Sequence, residues 1–118
     1  MYLERLSSIS SRIDGALALS LVAHDGIPIE SLSSAPDLDL EVVAAEMVAQ
    51  AQAISQQQKE LSVGEVQQLT VAGEEMTFLL SAAGRGYWFL AALAPDAVVG
   101  RARFELKRAV LQFENDLD

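Results

Sequence analysis

The chain has 118 residues, enough for one core of ordinary domain size and too few for two. Hydrophobic residues make up 51% and cysteine is absent, which excludes disorder, a disulfide framework, a thiol nucleophile and cysteine-based zinc or iron–sulfur sites. A formal net charge of -9 sets the surface against phosphate backbones and anionic lipids, so no nucleic-acid partner is expected; no window approaches the roughly 20 apolar residues of a membrane span, so no membrane insertion is expected.

Leu3, Leu6 and Ile9 recur at steps of three and predict a short helix over residues 2–11. Asp14-Gly15 breaks it. Ala16–Ala23 is an apolar run of strand length. Asp25-Gly26 reads as a two-residue hairpin turn with both positions at positive φ, and Ile27–Leu32 as the returning strand. Pro28 has no N–H, which puts that strand at a sheet edge or at its own first residue. Ser31–Asp39 is loop-rich. Asp37 or Asp39 then caps a long helix predicted to run to about Leu61, with Glu41 near its N-terminus and Lys59 in its last turn. Leu40, Val43, Ala44, Met47, Ala51 and Ile54 form its inward stripe. The second face carries Val42, Ala45, Ala49, Ala53 and Gln56, and Met47–Gln58 contains no charge. A helix packed on one side only normally shows Lys and Glu outside. Alanine and glutamine there predict a second cover, most simply a copy of the same helix.

Three further strands are predicted, Glu65–Val71, Glu75–Ala82 and Tyr87–Ala94, joined by turns at Gly73-Glu74 and Gly84-Arg85-Gly86. The first is the most polar and suits an edge. Tyr87–Leu93 is apolar on both faces and reads as a central strand covered on both sides. Pro95-Asp96 opens the last helix, Ala97–Leu117, whose stripe is Val99, Ala102, Leu106, Ala109, Val110, Phe113 and Leu117. Arg101, Arg103, Lys107 and Arg108 form exposed rows beside it, and Arg101 can pair with Glu105. This order predicts an α+β fold: an antiparallel sheet with helices on both faces, a three-layer α/β/α sandwich, with residues 1–118 as one domain.

Catalytic patterns are missing. No glycine leads into the Gly-Lys-Ser/Thr of a phosphate loop, and Phe89 stands where a dinucleotide fingerprint needs its third glycine. His24 is the single histidine, beside a turn, with no metal-ligand spacing around it. No nucleophile elbow presents a serine. Asp37-Leu38-Asp39-Leu40-Glu41 alternates like a calcium loop, but Val42 holds the glycine position and Val48 the last ligand position. Glu74-Glu75 belongs to a turn, and Trp88 to core packing. Neither an intrinsic enzyme nor a cofactor or metal is expected.

The segments Ala18–Ile29 (ALSLVAHDGIPI), Glu41–Leu61, Gly64–Leu80 (GEVQQLTVAGEEMTFLL) and Tyr87–Arg103 (YWFLAALAPDAVVGRAR) follow one another in an order that resembles the Roadblock/dynein light chain superfamily, within it the bacterial MglB-like branch. The resemblance implies a five-stranded antiparallel, profilin-like sheet. It implies dimers that join edge strands and pair their long helices. Carried onto this chain, the pairing helix is Val42–Gln57, with Val42, Ala45, Ala49, Gln52, Ala53 and Gln56 in contact. The joining edge is Glu65–Val71, with Glu65, Val66, Gln67, Gln68 and Leu69 in contact. It further implies a cytoplasmic homodimer that binds a small Ras-like, MglA-type GTPase and modulates its cycle, as some MglB-like relatives do in the role of GTPase-activating protein. Such proteins reorder the GTPase's own residues, so neither Arg85 nor Arg101 is nominated as an arginine finger. The competing reading is a dimeric scaffold without effect on GTP turnover.

Overall fold

The computed structural model describes residues 2–113. Its elements in chain order are α1 (Tyr2–Ser11), β1 (Ala16–Val22), β2 (Pro28–Ser33), α2 (Leu40–Gln56), α3 (Gln58–Leu61), β3 (Gln68–Ala72), β4 (Thr77–Gly84), β5 (Tyr87–Leu93) and α4 (Val99–Phe113). The five strands form one sheet in the order β2-β1-β5-β4-β3, with every neighbouring pair antiparallel.

Alternation along the strands sorts their side chains into two cores. Leu19, Leu21, Leu79, Phe89, Ala91 and Leu93 meet Leu6 and Ile9 of α1 and Ala102, Leu106 and Ala109 of α4. On the opposite face, Val22, Leu80 and Leu90 meet Ala44, Met47, Val48 and Ala51 of α2. The three layers and the central, doubly covered β5 agree with the sequence reading. Both predicted edges are edges. Pro28 opens β2, where a missing N–H costs no ladder bond. The polar β3 closes the other side.

The turns differ from expectation. Of Asp25-Gly26, only Gly26 has positive φ (+88°). The Ala23 N–H donates to the Ile27 carbonyl (3.0 Å) and the Gly26 N–H to the Ala23 carbonyl (2.9 Å). Asp25 contributes its side chain instead: Oδ1 accepts from the Ile27 N–H at 3.2 Å. The turn with two positive-φ centres is Arg85-Gly86, at +54° and +83°, closed by the Gly84–Tyr87 pair.

Helix α2 also ends sooner than predicted. Asp39, not Asp37, is its cap, accepting from the Val42 N–H at 3.3 Å. At the other end the Gln57 N–H is shared between the Ala53 and Ile54 carbonyls, both at 3.1 Å, and a separate turn, α3, takes residues 58–61. After Ile54 the inward stripe continues with the polar Ser55, so apolar packing no longer holds the helix down. Ser62 and Gly64, at φ +55° and +75°, then reverse the chain. The predicted strand Glu65–Val71 is corrected for a related reason. Ser55 Oγ accepts the Val66 N–H at 3.0 Å and draws residues 65–66 onto α2, so that β3 begins at Gln68. Gln67 keeps one ladder bond, its carbonyl accepting from the Ala82 N–H at 2.8 Å. The Gly73 N–H bonds the Met76 carbonyl at 2.9 Å, which places Glu74 and Glu75 in the turn and starts β4 at Thr77. Leu117 lies outside the described residues, as do the side chains of Lys59 and Phe113.

Glu105 corrects the reading of α4. It sits on the buried side of the helix, 2% exposed, rather than among the solvated charges. The expected pair with Arg101 forms at 3.6 Å, and Arg108 joins from the next turn at 3.7 Å. Among the described residues, Oε1 of this carboxylate has no hydrogen-bond donor.

These positions generate two stability predictions. A Cβ on Gly26 would stand 3.3 Å from the Ala45 Cα, on a backbone at φ +88°. Gly26→Ala is therefore expected to lower the unfolding free energy by about 2 kcal/mol in urea titration. Glu105→Met removes a buried carboxylate whose two partners are both more than half exposed and keep their hydration. It is expected to raise stability by about 1 kcal/mol in the same assay.

Candidate functional site

Among the described residues, helix α2 is the only long helix on its face of the sheet, and the face it turns outward is the predicted contact surface. Val42 (57% exposed), Ala45, Ala49, Gln52, Ala53 and Gln56 are all exposed. At 100° per residue they form one band about a quarter of the helix circumference wide. Of the predicted inward stripe, Ala44, Met47 and Ala51 are buried and Leu40, Val43 and Ile54 half-buried, and Val48, which lies outside that predicted stripe, is buried with them. Acids occupy only the N-terminal half of the helix, at Glu41 and Glu46, and the second half is uncharged.

The β1–β2 turn fixes this helix in place. Gly26 packs beside Ala45 and Val48, and Gln52 Nε2 donates to the His24 carbonyl at 3.0 Å. His24 itself is exposed, as its position beside a turn requires. Gln52 thus has an internal task as well as an exposed surface.

The structure gathers Gln52, Gln56 and Glu65 around Trp88 in a shallow notch that Ser55 completes. Trp88 is half-buried: one side packs against the core of Val22 and Leu80, and the rest borders the notch. Sequence reasoning places it in the core alone. Its position at the start of β5, next to Arg85-Gly86, is the available sign that one side would reach the surface. Val66 packs against the same core, held by Ser55, whereas Gln67 is exposed. Glu65 and Val66 therefore belong to the α2 side of the site rather than to the strand edge.

The edge proper is Gln68–Ala72. Leu69 and Val71 lie on the α2 face, opposite Leu80 and Phe78, while Gln68 and Thr70 lie on the α4 face. Gln68 Nε2 reaches Ser81 Oγ at 3.4 Å, and Thr70 Oγ1 accepts from Arg103 at 3.1 Å. Among the described residues no strand pairs with the outer side of β3. Nearby in sequence, Leu61, Val63 and Val71 are exposed apolar side chains.

Such an arrangement is suited to helix-on-helix and strand-on-strand contact. Among the described residues no group of three or more His, Asp or Glu side chains could hold a metal ion. No helix among them is long and apolar enough to cross a membrane.

Comparison with known proteins agrees with the fold. No curated protein sequence matched the chain. The gliding protein MglB from Thermus thermophilus shares 22% identity and superposes with a TM-score of 0.80, over 92% of this chain and 82% of that one. A structure of MglB with tetrameric arrangement gives 22% identity and a TM-score of 0.81, over 92% and 81%. MglC from Myxococcus xanthus gives 24% identity and a TM-score of 0.69, over 98% of each chain. The family described as Roadblock/LC7 domain matches residues 3–94. The chain belongs to the Roadblock/LC7 domain family, and MglB proteins are among the solved structures whose fold it shares.

Proposed function

We propose that the chain acts in the cytoplasm as a single-domain, homodimeric regulator that binds a small Ras-like GTPase of the MglA type and modulates its nucleotide cycle. The observation that carries the dimer is the exposed, small-residue band of α2 beside an unpaired strand edge. A twofold contact brings the same patch from both copies together. With the two α2 helices antiparallel and crossing near Ala49, Glu41 and Glu46 of one copy face the uncharged glutamine half of the other. A parallel crossing would oppose like charges. Support for self-association also comes from the tetrameric arrangement of a solved MglB of the same fold.

The GTPase step rests on family likeness and on the lack of catalytic groups in the site. A surface of alanine, glutamine and valine works by shape. It can hold a partner's loops in one of two conformations, and it shifts that equilibrium only by its difference in affinity for them. Activation then uses the partner's own residues, with no arginine inserted from this chain.

Two measurements test the reading. Ala49→Arg with Ala53→Arg places four guanidinium groups in the twofold contact. The double variant is expected to sediment as a monomer with an unchanged far-UV spectrum; a retained dimer would move the interface elsewhere. Single-turnover GTP hydrolysis by an MglA-type GTPase is expected to change by about tenfold when the wild-type dimer is added, or about 1.4 kcal/mol in barrier. Binding without any change in that rate would leave the scaffold reading in its place.

A further inference from the structure

The outer face of α4 has a different chemistry from that of α2. Phe104 and Leu111 are 58% and 70% exposed. They are seven positions apart and point away from the buried Ala102, Leu106 and Ala109, so they form a ridge about 10.5 Å long. Cations line both flanks of the ridge. Arg101 and Arg108 lie on one side, over the buried Glu105. Arg103 and Lys107 lie on the other, where Arg103 donates to the neutral Thr70 hydroxyl. Residues 101–108 therefore hold four positive charges against one carboxylate, in a chain whose net charge is -9.

Solubility accounts for the cations. It does not account for a phenylalanine and a leucine set outermost between them, where they add nothing to the core. Covering both would take a contiguous apolar strip out of water. We propose that this face is a docking surface for an acidic amphipathic helix of another protein. The partner's apolar stripe lies on Phe104 and Leu111, and its carboxylates meet Arg101 and Arg108 on one flank and Arg103 and Lys107 on the other.

Charge selects this occupant. A second copy's α4 would bring the same four cations and be repelled. An anionic bilayer is a plane, and it would confront the rest of an acidic chain along with the basic strip. A helix about 10 Å wide meets the strip alone. The surface lies on the opposite side of the sheet from α2, and of its residues Arg103 alone is bonded to the β3 edge of the proposed dimer, through Thr70.

The test titrates wild-type protein into a fluorescent, lactam-bridged helical peptide carrying a leucine stripe flanked by glutamates, read by anisotropy. A scrambled peptide of the same composition and vesicles of phosphatidylcholine with phosphatidylserine run beside it. The amphipathic peptide is expected to bind at least about tenfold more tightly than the scrambled one. Phe104→Ser with Leu111→Ser, and separately Arg103→Glu with Lys107→Glu, are each expected to weaken it by at least about tenfold, with circular dichroism and sedimentation unchanged. Equal binding of both peptides would reduce the surface to unspecific charge attraction and overturn the proposal. Absence of peptide binding would overturn it as well. Capture by the vesicles instead, lost in the same variants, would overturn it in favour of a lipid surface.

Discussion

The constraint on which the rest of the structure depends is that β5 is apolar on both sides. Phe89, Ala91 and Leu93 must be covered from one face and Leu90 from the other. Helices are therefore required on both faces, and their distribution is unequal. Two long helices, α1 and α4, share one face, and α2 has the other. Five strands at about 4.8 Å spacing make a sheet roughly 20 Å wide, whereas a helix is about 10 Å across. One helix cannot roof that width. The side chains left at its margins are those the fold fails to bury: Ile29 on β2, Val71 on β3, and the outer part of Trp88. The α2 face is thus less completely roofed than the opposite one, and the room for a second cover beside α2 in the proposed dimer comes from this arrangement of helices.

Features fixed by burial or by a missing donor are legible in the sequence. The doubly apolar run Tyr87–Leu93 specifies the central strand and, through it, the layers. Pro28 and the glutamines around Gln67 specify the edges, because a prolyl nitrogen and a polar strand are tolerated only there. The alanine-rich outer face of α2 is visible in the same way, as a helix without the expected charges.

Features decided by competition between nearby groups are not legible. At Asp25 a side-chain acceptor for the Ile27 N–H removes the need for positive φ, so an Asp-Gly pair that favours one turn type adopts another. At Gln57 helix propensity favours continuation, but the inner face has lost its apolar stripe, and Ser55 engages the returning chain instead. At Glu105 the helical period alone predicts burial. A carboxylate there reads as solvated because lone buried acids are costly; the two arginines one turn away on either side offset that cost. In each case the deciding partner is a specific atom whose position the sequence pattern does not encode.

Basic residues are concentrated on the α1 and α4 side. Six of the eight basic residues, Arg5, Arg12, Arg101, Arg103, Lys107 and Arg108, lie on α1, just after it, or on α4. Helix α2 itself carries Glu41 and Glu46 and no basic residue. The two faces are thus suited to different partners. Area sharpens the point for α2. A helix of 17 residues is about 25 Å long and presents roughly 250 Å² outward. A stable interface needs about 800 Å² from each side. Paired α2 helices alone are too small to hold two copies together, so a dimer built on them also needs the edge strand and the exposed Leu61, Val63 and Val71. An interface assembled from such modest parts has no single dominant anchor. In the proposed dimer, removing one methyl group at Ala45 or Ala49 would change little, whereas a guanidinium forced between the helices would have to be desolvated and would displace all the parts at once.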